Sequence, residues 1–341
     1  MNKTYLFITA LFVLIFMSCQ SRKKNNAEKQ NEIELVAEKQ LVFPLDEQTY
    51  YLSKSMFQFE ENGKEYLHFE NTRKSLYDIV TFDIENKQIA KRIPLHKTGP
   101  NGLPAVYGSR PSPDSKQILI SQNNIGRLST INNQGEVVHN YPVKTPEGRF
   151  TTFFFCSYYN APAFVKDSCI FLNQGIFKPN MKREDWPQTH MFASQNLETG
   201  KFEWVPIFYP PIFKEEYENI DGGYGFSYDY NYKESRLVCG FFGYDSLMVT
   251  DDLKHIRWYN AKSKYLKSMK PKLGNAMAGI NSIIEFCEAP MYWHIMYDKY
   301  RDVYYRFAEM PYKLAPNESP YDEPKGKEFS VIVLNADFEI I

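Results

Sequence analysis

The feature that most constrains what this chain can fold into is a unit of short apolar runs separated by polar turns, and it recurs through the whole body of the sequence. The leading runs are Lys64-Glu-Tyr-Leu-His-Phe, Lys116-Gln-Ile-Leu-Ile-Ser, Ser168-Cys-Ile-Phe-Leu-Asn, Ser235-Arg-Leu-Val-Cys-Gly and Asp302-Val-Tyr-Tyr-Arg-Phe. Turn formers precede them, as in Glu61-Asn-Gly, Pro113-Asp-Ser and Lys166-Asp-Ser. Second runs follow at 76–84, 126–133, 190–197, 246–252 and 329–335, and third runs at 87–94, 136–141 and 201–205. Runs of this length bounded by turns read as strands. Their return at intervals of roughly 50 to 65 residues predicts an all-β fold, a β-propeller of small antiparallel blades. A β-sandwich with a smaller β domain is the alternative, but sandwiches do not repeat a strand triplet five times. The 25 Tyr and 26 Phe fit the same reading, because aromatics favour strands, although they could also serve as sugar-stacking platforms.

Five units are countable, starting near Tyr50, Leu103, Phe150, Tyr224 and Asn281. The chain stops just after the third expected strand of the fifth. Either a final blade is missing, or the ring has five blades and Gln40-Leu-Val-Phe-Pro-Leu supplies the outer strand of the last. Pro44 is tolerated there because an outermost strand has one unpaired edge.

The first residues address the chain rather than fold it. Lys3 is followed by an apolar run from Tyr5 to Met17 and then by Ser18-Cys19. That run is shorter than the ~20 residues a membrane-spanning helix needs, and it has the flanks of a secretory signal. Residues 20–31 are polar and rich in Lys, Asn and Gln, which predicts a flexible tether over 19–32 and a folded domain over 33–341. Beyond Cys19, the cysteines Cys156, Cys169, Cys239 and Cys287 form no C-x-x-C pair, so no metal knuckle is expected. Cys169 and Cys239 lie in strand patterns and read as buried free thiols, with disulfides the alternative in an exported protein. A net charge of −1 argues against nucleic acid as a partner.

Three segments carry a family resemblance. Phe16-Met17-Ser18-Cys19 resembles a bacterial lipoprotein signal, which implies lipidation of Cys19 and a membrane anchor. Pro111-Ser-Pro-Asp-Ser-Lys before Gln-Ile-Leu-Ile resembles the SPDGK-then-strand signature of TolB-type six-bladed propellers, with Ser115 in place of Gly. Lys97-Thr-Gly-Pro-Asn-Gly-Leu is similar to a segment of lipidated Bacteroidetes propellers known as domains of unknown function. The resemblance implies six blades as the norm and a place in the cell envelope. The basic Ser21-Arg-Lys-Lys, where surface-exported relatives are acidic, implies an outer-membrane anchor facing the periplasm.

In a propeller the loops joining second to third strands share one face with the loops between blades. This selects ligand-binding candidates at one channel mouth: Arg73, Asn123, Asn124, Tyr244 and Asp245, with Arg183 and Trp186 from the long 174–189 loop and His190 beside it. An Arg and a Trp beside amides suit a carboxylate or a sugar. Glu70 and Asn71, Gln122 and Asn123, and Asn173 and Gln174 recur at inner-strand ends, as a polar ring or as turn chemistry. His68, between Leu67 and Phe69, is placed to face the channel. Residues 254–272 hold seven Lys/Arg and no acid, which reads as an anion patch or as a solvated outer strand. The sequence has no G-x-S-x-G, H-E-x-x-H, Walker or EF-hand motif, and no metal or cofactor is implied. These features suit a membrane-held recognition or scaffold propeller binding a peptide, glycan or protein. The alternative is an exported hydrolase or lyase using groups such as His190 or Asp245.

Overall fold

The computed structural model describes residues 40–51, 53, 55–72, 76–112, 115–122, 126–143, 154–155, 162–174, 187–210, 225–266, 280–320 and 326–341. The leading runs expected from Lys64, Lys116, Ser168, Ser235 and Asp302 form strands at 64–71, 118–122, 169–174, 236–241 and 303–309, and each is the second strand of an antiparallel sheet. Blade 1 is β1 (Met56–Glu61), β2 (Lys64–Asn71), β3 (Asp78–Asp83) and β4 (Gln88–Pro94), paired in that order. Blade 2 is β5 (Gly108–Pro111), β6 (Ile118–Gln122), β7 (Arg127–Ile131) and β8 (Val137–Pro142). Blade 3 has an interrupted inner strand, since both β9 (Phe154–Phe155) and β10 (Phe164–Lys166) pair with β11 (Cys169–Gln174). It continues with β12 (Phe192–Asn196) and β13 (Phe202–Trp204). Blade 4 is β14 (Phe226–Asn231), β15 (Arg236–Phe241), β16 (Ser246–Thr250) and β17 (Arg257–Asn260). Blade 5 has three strands, β18 (Met291–Asp298), β19 (Val303–Glu309) and β20 (Phe329–Leu334), and follows the short helix α1 (Ile280–Glu288). The protein is a five-bladed β-propeller, as the repeat count predicts.

The turns explain the sequence signals. Asn62-Gly63 closes the β1–β2 hairpin with both φ values positive, at 53° and 74°, as a two-residue turn matched to strand twist requires. Ser115 sits at φ 56°, so the SPDGK-like turn holds a left-handed residue at the position where the resemblance calls for Gly. In the Gly99-Pro-Asn-Gly crossover from blade 1 to blade 2, Gly99 has φ 87° and Asn101 Oδ1 accepts the Val137 N–H at 3.0 Å. The chain there reverses so that Leu103 is fully buried.

The seams between blades are the core. Ile79, Ile93 and Leu103 pack against Ile118, Ile120 and Ile131 between blades 1 and 2. Leu119, Tyr141, Ile170 and Leu172 fill the next seam. Between blades 3 and 4, Phe164 lies between Phe171 and Tyr230, stacked at 4.8 and 4.3 Å, with Phe192 edge-on to Tyr228 at 4.9 Å. That seam absorbs much of the aromatic excess. Between blades 4 and 5, Ser227 Oγ accepts the Ile295 N–H at 3.0 Å and Asp229 Oδ2 accepts that of Tyr297 at 2.8 Å. Alternate side chains of β14 thereby act as a surrogate strand for the edge of β18.

The seam between blades 5 and 1 is different. Glu65 takes the Tyr300 hydroxyl and, at 3.2 Å, Lys299 Nζ, while Gln58 Nε2 donates to Tyr300 Oη at 3.1 Å. Residues 40–45 form no strand on blade 5. Phe43 instead packs on blade 1 against Phe82 at 5.2 Å, and Arg92 clips Asp46 and Asp78. Ile340 bridges to Leu334, so the C-terminus itself occupies part of the missing outer-strand position. Of the cysteines, Cys239 is buried and free, Cys169 and Cys287 are free and half-buried, and Cys156 lies outside the described residues.

Replacing Ser115 by Gly relieves the left-handed strain without losing a packed side chain. Ser115→Gly is expected to raise the unfolding free energy by up to about 1 kcal/mol, read as a higher urea midpoint with an unchanged denaturant slope.

Candidate functional site

The sequence candidates fall in three groups. Cys19, Arg73, Asn123, Asn124, Arg183 and Trp186 lie outside the described residues. Tyr244 and Asp245 form, with Phe241, a cradle of carbonyls around Arg306, which is 1% exposed. The Arg306 guanidinium donates to the carbonyls of Asp245 at 2.6 Å, Ala261 at 2.8 Å, Tyr244 at 2.5 Å and Phe241 at 3.4 Å, and lies 3.5 Å from the Tyr292 ring centroid. Burial pulls its pKa down to about 10, still far above neutrality. Asp245 Oδ1 accepts the Tyr292 hydroxyl at 2.7 Å, and Lys262 Nζ is 3.7 Å from Oδ2. Both residues are therefore engaged in holding blade 4 to blade 5. His190 stacks on Trp204 at 5.3 Å, and its Nδ1 pairs with the Val205 carbonyl at 2.8 Å, on the outer side of blade 3.

The recurring amides are also structural. Asn71 bridges the Gln48 carbonyl, the Tyr50 N–H and Asp78, and Gln122 Nε2 donates to Ser129 Oγ at 2.8 Å. Of the basic segment, Arg257 pairs with Asp251 on the outer strand β17, where Trp258 is exposed. Among the described residues no three His, Cys, Asp or Glu side chains gather to hold a metal ion.

A polar cluster joins the second strand of blade 1 to the inner strand of blade 2, in the interior. His68 is buried, and its Nε2 meets Ser109 Oγ at 2.7 Å across the blade 1–2 seam. Ser109 Oγ in turn donates to Glu70 Oε2 at 3.3 Å, which assigns the His68 proton to Nε2. Burial, helped by the nearby Arg110 charge, drives the His68 pKa down to about 3. A nucleophilic triad places the imidazole between hydroxyl and carboxylate, whereas here the serine is in the middle. An imidazole this hard to protonate is also a poor base at neutral pH.

Arg110, on β5, is the second buried arginine at 4% exposure. Its guanidinium lies 4.3 Å from the Phe57 ring centroid of blade 1, and Nη2 donates to Tyr232 Oη of blade 4 at 3.3 Å. Its Nε is buried without a hydrogen-bond partner. Tyr232 Oη also accepts the Val165 N–H of blade 3 at 3.2 Å. Asp229 is within electrostatic reach, its carboxyl held above the usual range by burial, against the opposing pull of two backbone N–H groups and Arg110. Residues of four blades thus converge here, close to the first-to-second strand turns and at the end of the channel opposite the mouth selected from sequence. No sequence signal marked Arg110, a lone basic residue before Pro111. The readable hint was polar alternation within an inner strand, Ser227 and Asp229 among aromatics.

A family model described as a domain of unknown function, DUF4221, matches residues 32–341. A crystal structure of a DUF4221 member from Bacteroides vulgatus ATCC 8482 is 83% identical, with a TM-score of 0.86 over 92% of this chain and 86% of that one. A Bacteroides fragilis NCTC 9343 protein described as exported is 10% identical, with a TM-score of 0.54 over 88% of this chain and 73% of that one, a likeness of fold. No curated protein matches the chain.

Two variants probe this arrangement. Arg306→Met removes the guanidinium donor from four buried carbonyls, of which those of Phe241 and Asp245 keep a backbone N–H, and is expected to cost about 3 kcal/mol in urea unfolding. His68 stays neutral when folded down to about pH 3 but binds a proton near 6.5 when unfolded, so its contribution to stability falls as pH drops from 6.5 toward 3. His68→Gln should flatten the fall in unfolding free energy between pH 6 and 4 by up to about 1.4 kcal/mol per pH unit.

Proposed function

The chain belongs to the DUF4221 family, and on that footing we propose that it is an exported, lipid-anchored propeller that recognises a ligand rather than transforming one. In this reading residues 1–18 are the signal, Cys19 carries the lipid, 19–32 form the tether and 33–341 the recognition domain. The Ser18-Cys19 junction, the polar segment after it and the fold shared with a Bacteroides fragilis protein described as exported support the placement. The basic residues after Cys19 support an outer-membrane anchor facing the periplasm. The TolB-like turn at 111–116 supports a place among envelope propellers. The partner is a peptide, glycan or protein, and no nucleic acid or cofactor is involved.

One observation carries the recognition reading. The buried, cationic Arg110 has a single hydrogen bond, where the inner strands of four blades meet and an exposed tyrosine stands at the rim. A buried charge of this kind is costly unless something completes its shell. The imidazole beside it is set up to hold Ser109, not to move protons.

Fractionation tests the anchor. Cys19→Ser should move the chain from the membrane to the soluble fraction, and retention in the membrane would sink the anchor. Recognition is tested by screening detergent-solubilised full-length protein against peptide and glycan panels for both binding and turnover. Binding weakened by Phe57→Ala and absence of turnover are expected. Turnover of any panel member that persists through purification to homogeneity would restore the enzyme reading.

A further inference from the structure

We propose that Arg110 and Tyr232 form a binding site for a small monocarboxylate at the turn end of the propeller axis. The inference deepens the recognition reading above by assigning the ligand's chemical class, and it rests on that reading for its biological sense only.

The argument starts from hydrogen-bond capacity. A guanidinium carries five N–H donors and a phenol one. Arg110 has one hydrogen bond, from Nη2 to Tyr232, and its Nε is buried with no partner. Tyr232 Oη already accepts from Arg110 Nη2 and Val165 N, and among the described residues its own hydrogen has no acceptor. Two side chains from two blades therefore direct unused donors into one place. Arg306 provides the contrast inside the same molecule. It is equally buried, and although its Nε is also unpaired, it directs hydrogen bonds to four carbonyls. One buried arginine is completed by the fold. The other is not.

Shape and charge narrow the ligand. Phe57 covers a face of the Arg110 guanidinium, which leaves its edge, with Nε, as the approach. Two parallel N–H groups along that edge match the two oxygens of a carboxylate. The other groups near Arg110 are His68, held neutral by burial, and Asp229, whose oxygens accept the Tyr230 and Tyr297 N–H groups at 2.8 Å each. Asp229 makes no ion pair with Arg110. Its charge nevertheless offsets part of the cation, so a dianion such as phosphate would leave the site more strongly negative than a monoanion would. Tyr232 is 52% exposed, so the rim residue reaches solvent while the arginine beneath it does not. The phenol hydroxyl is then positioned to donate to a ligand oxygen entering past it.

The test uses the full-length protein in detergent and ¹³C-acetate followed by ligand-observed NMR, with acetamide as the neutral isostere and inorganic phosphate as the dianion. Saturable acetate binding is expected, with acetamide undetected and phosphate weaker. Tyr232→Phe, which keeps the exposed ring, should weaken acetate roughly tenfold, the value of one charge-assisted hydrogen bond. Arg110→Lys keeps the charge but loses the planar fork and should weaken it at least as much, with folding of both variants checked by circular dichroism and thermal midpoint. Absence of acetate binding to the wild-type chain overturns the proposal, as does equal binding by wild type and a folded Tyr232→Phe. Tighter binding of phosphate than acetate overturns the monoanion assignment. If panel ligands bind while acetate does not, the carboxylate site fails and recognition stands. If acetate binds at Arg110 while no panel ligand does, the site stands and the broader reading fails.

Discussion

The last blade is attached to the ring by a buried charge. Among the described residues blade 5 has three strands, and nothing equivalent to β4, β8, β13 or β17 covers its outer edge along its length. Arg306 compensates from the second strand, gathering carbonyls of Phe241, Tyr244, Asp245 and Ala261, all contributed by blade 4 and the chain leaving it. Those carbonyls end strands or line a loop; those of Phe241 and Asp245 also take the N–H groups of Tyr244 and Ala261, while those of Tyr244 and Ala261 depend on the guanidinium. The cation fixes the 242–245 loop, the loop fixes Asp245, and Asp245 holds the Tyr292 hydroxyl on which the guanidinium's aromatic floor depends. The C-terminal residues finish the seam. Phe338 packs on Tyr304 at 5.0 Å and Tyr259 at 4.6 Å, while Arg236 holds the Ala336 carbonyl at 3.0 Å.

The five seams are therefore unequal. Three are filled mainly by apolar side chains, and the fourth adds Arg306 and the surrogate strand to an apolar cluster. The fifth, between blades 5 and 1, is tied by Glu65, Lys299, Tyr300 and Gln58 near solvent, and exposed ion pairs of this kind contribute little each. Blade 1 covers its own face at that seam with Phe43, brought in by the Asp46–Arg92 clip. The N-terminal segment works here as a plug on blade 1 rather than as a strand of blade 5. Pro44 and the charged Asp46 suit that role, since neither favours a paired strand.

How much of this was legible follows from where each residue's partners lie. Second strands such as Ile118-Leu-Ile are buried on both faces, so their apolar runs are continuous and readable. Inner strands are not, because they serve the axis. In β14 the polar Ser227 and Asp229 break the apolar pattern while completing the β18 edge, a purpose visible only once two blades are side by side. The helix α1 was too short for its period to register. Tyr244 and Asp245 were located correctly on a second-to-third loop, but sequence offers no view of Arg306, 61 residues away from Asp245, reaching into that loop. Arg110 escaped for the same reason: its neighbours Phe57, Val165 and Tyr232 come from three other blades.

Comparing the two buried arginines sharpens what function asks of a propeller. Both sit where blades converge, both rest on an aromatic ring, and both have lost nearly all contact with water. For a residue whose only task is to lock blades together, every donor that finds a carbonyl adds stability, and Arg306 follows that rule. Arg110 departs from it at the axis, the one region every blade can reach and where a ligand would touch several blades at once. Rigid surroundings make such a departure useful, because a fixed guanidinium edge beside a fixed phenol loses little entropy on meeting an anion. The Arg306 knot and the aromatic seam around Phe164 supply that rigidity on blades 3 to 5, and the covering Phe57 supplies it from blade 1. The residues that make the ring firm thus also keep Arg110 from collapsing onto a carbonyl of its own.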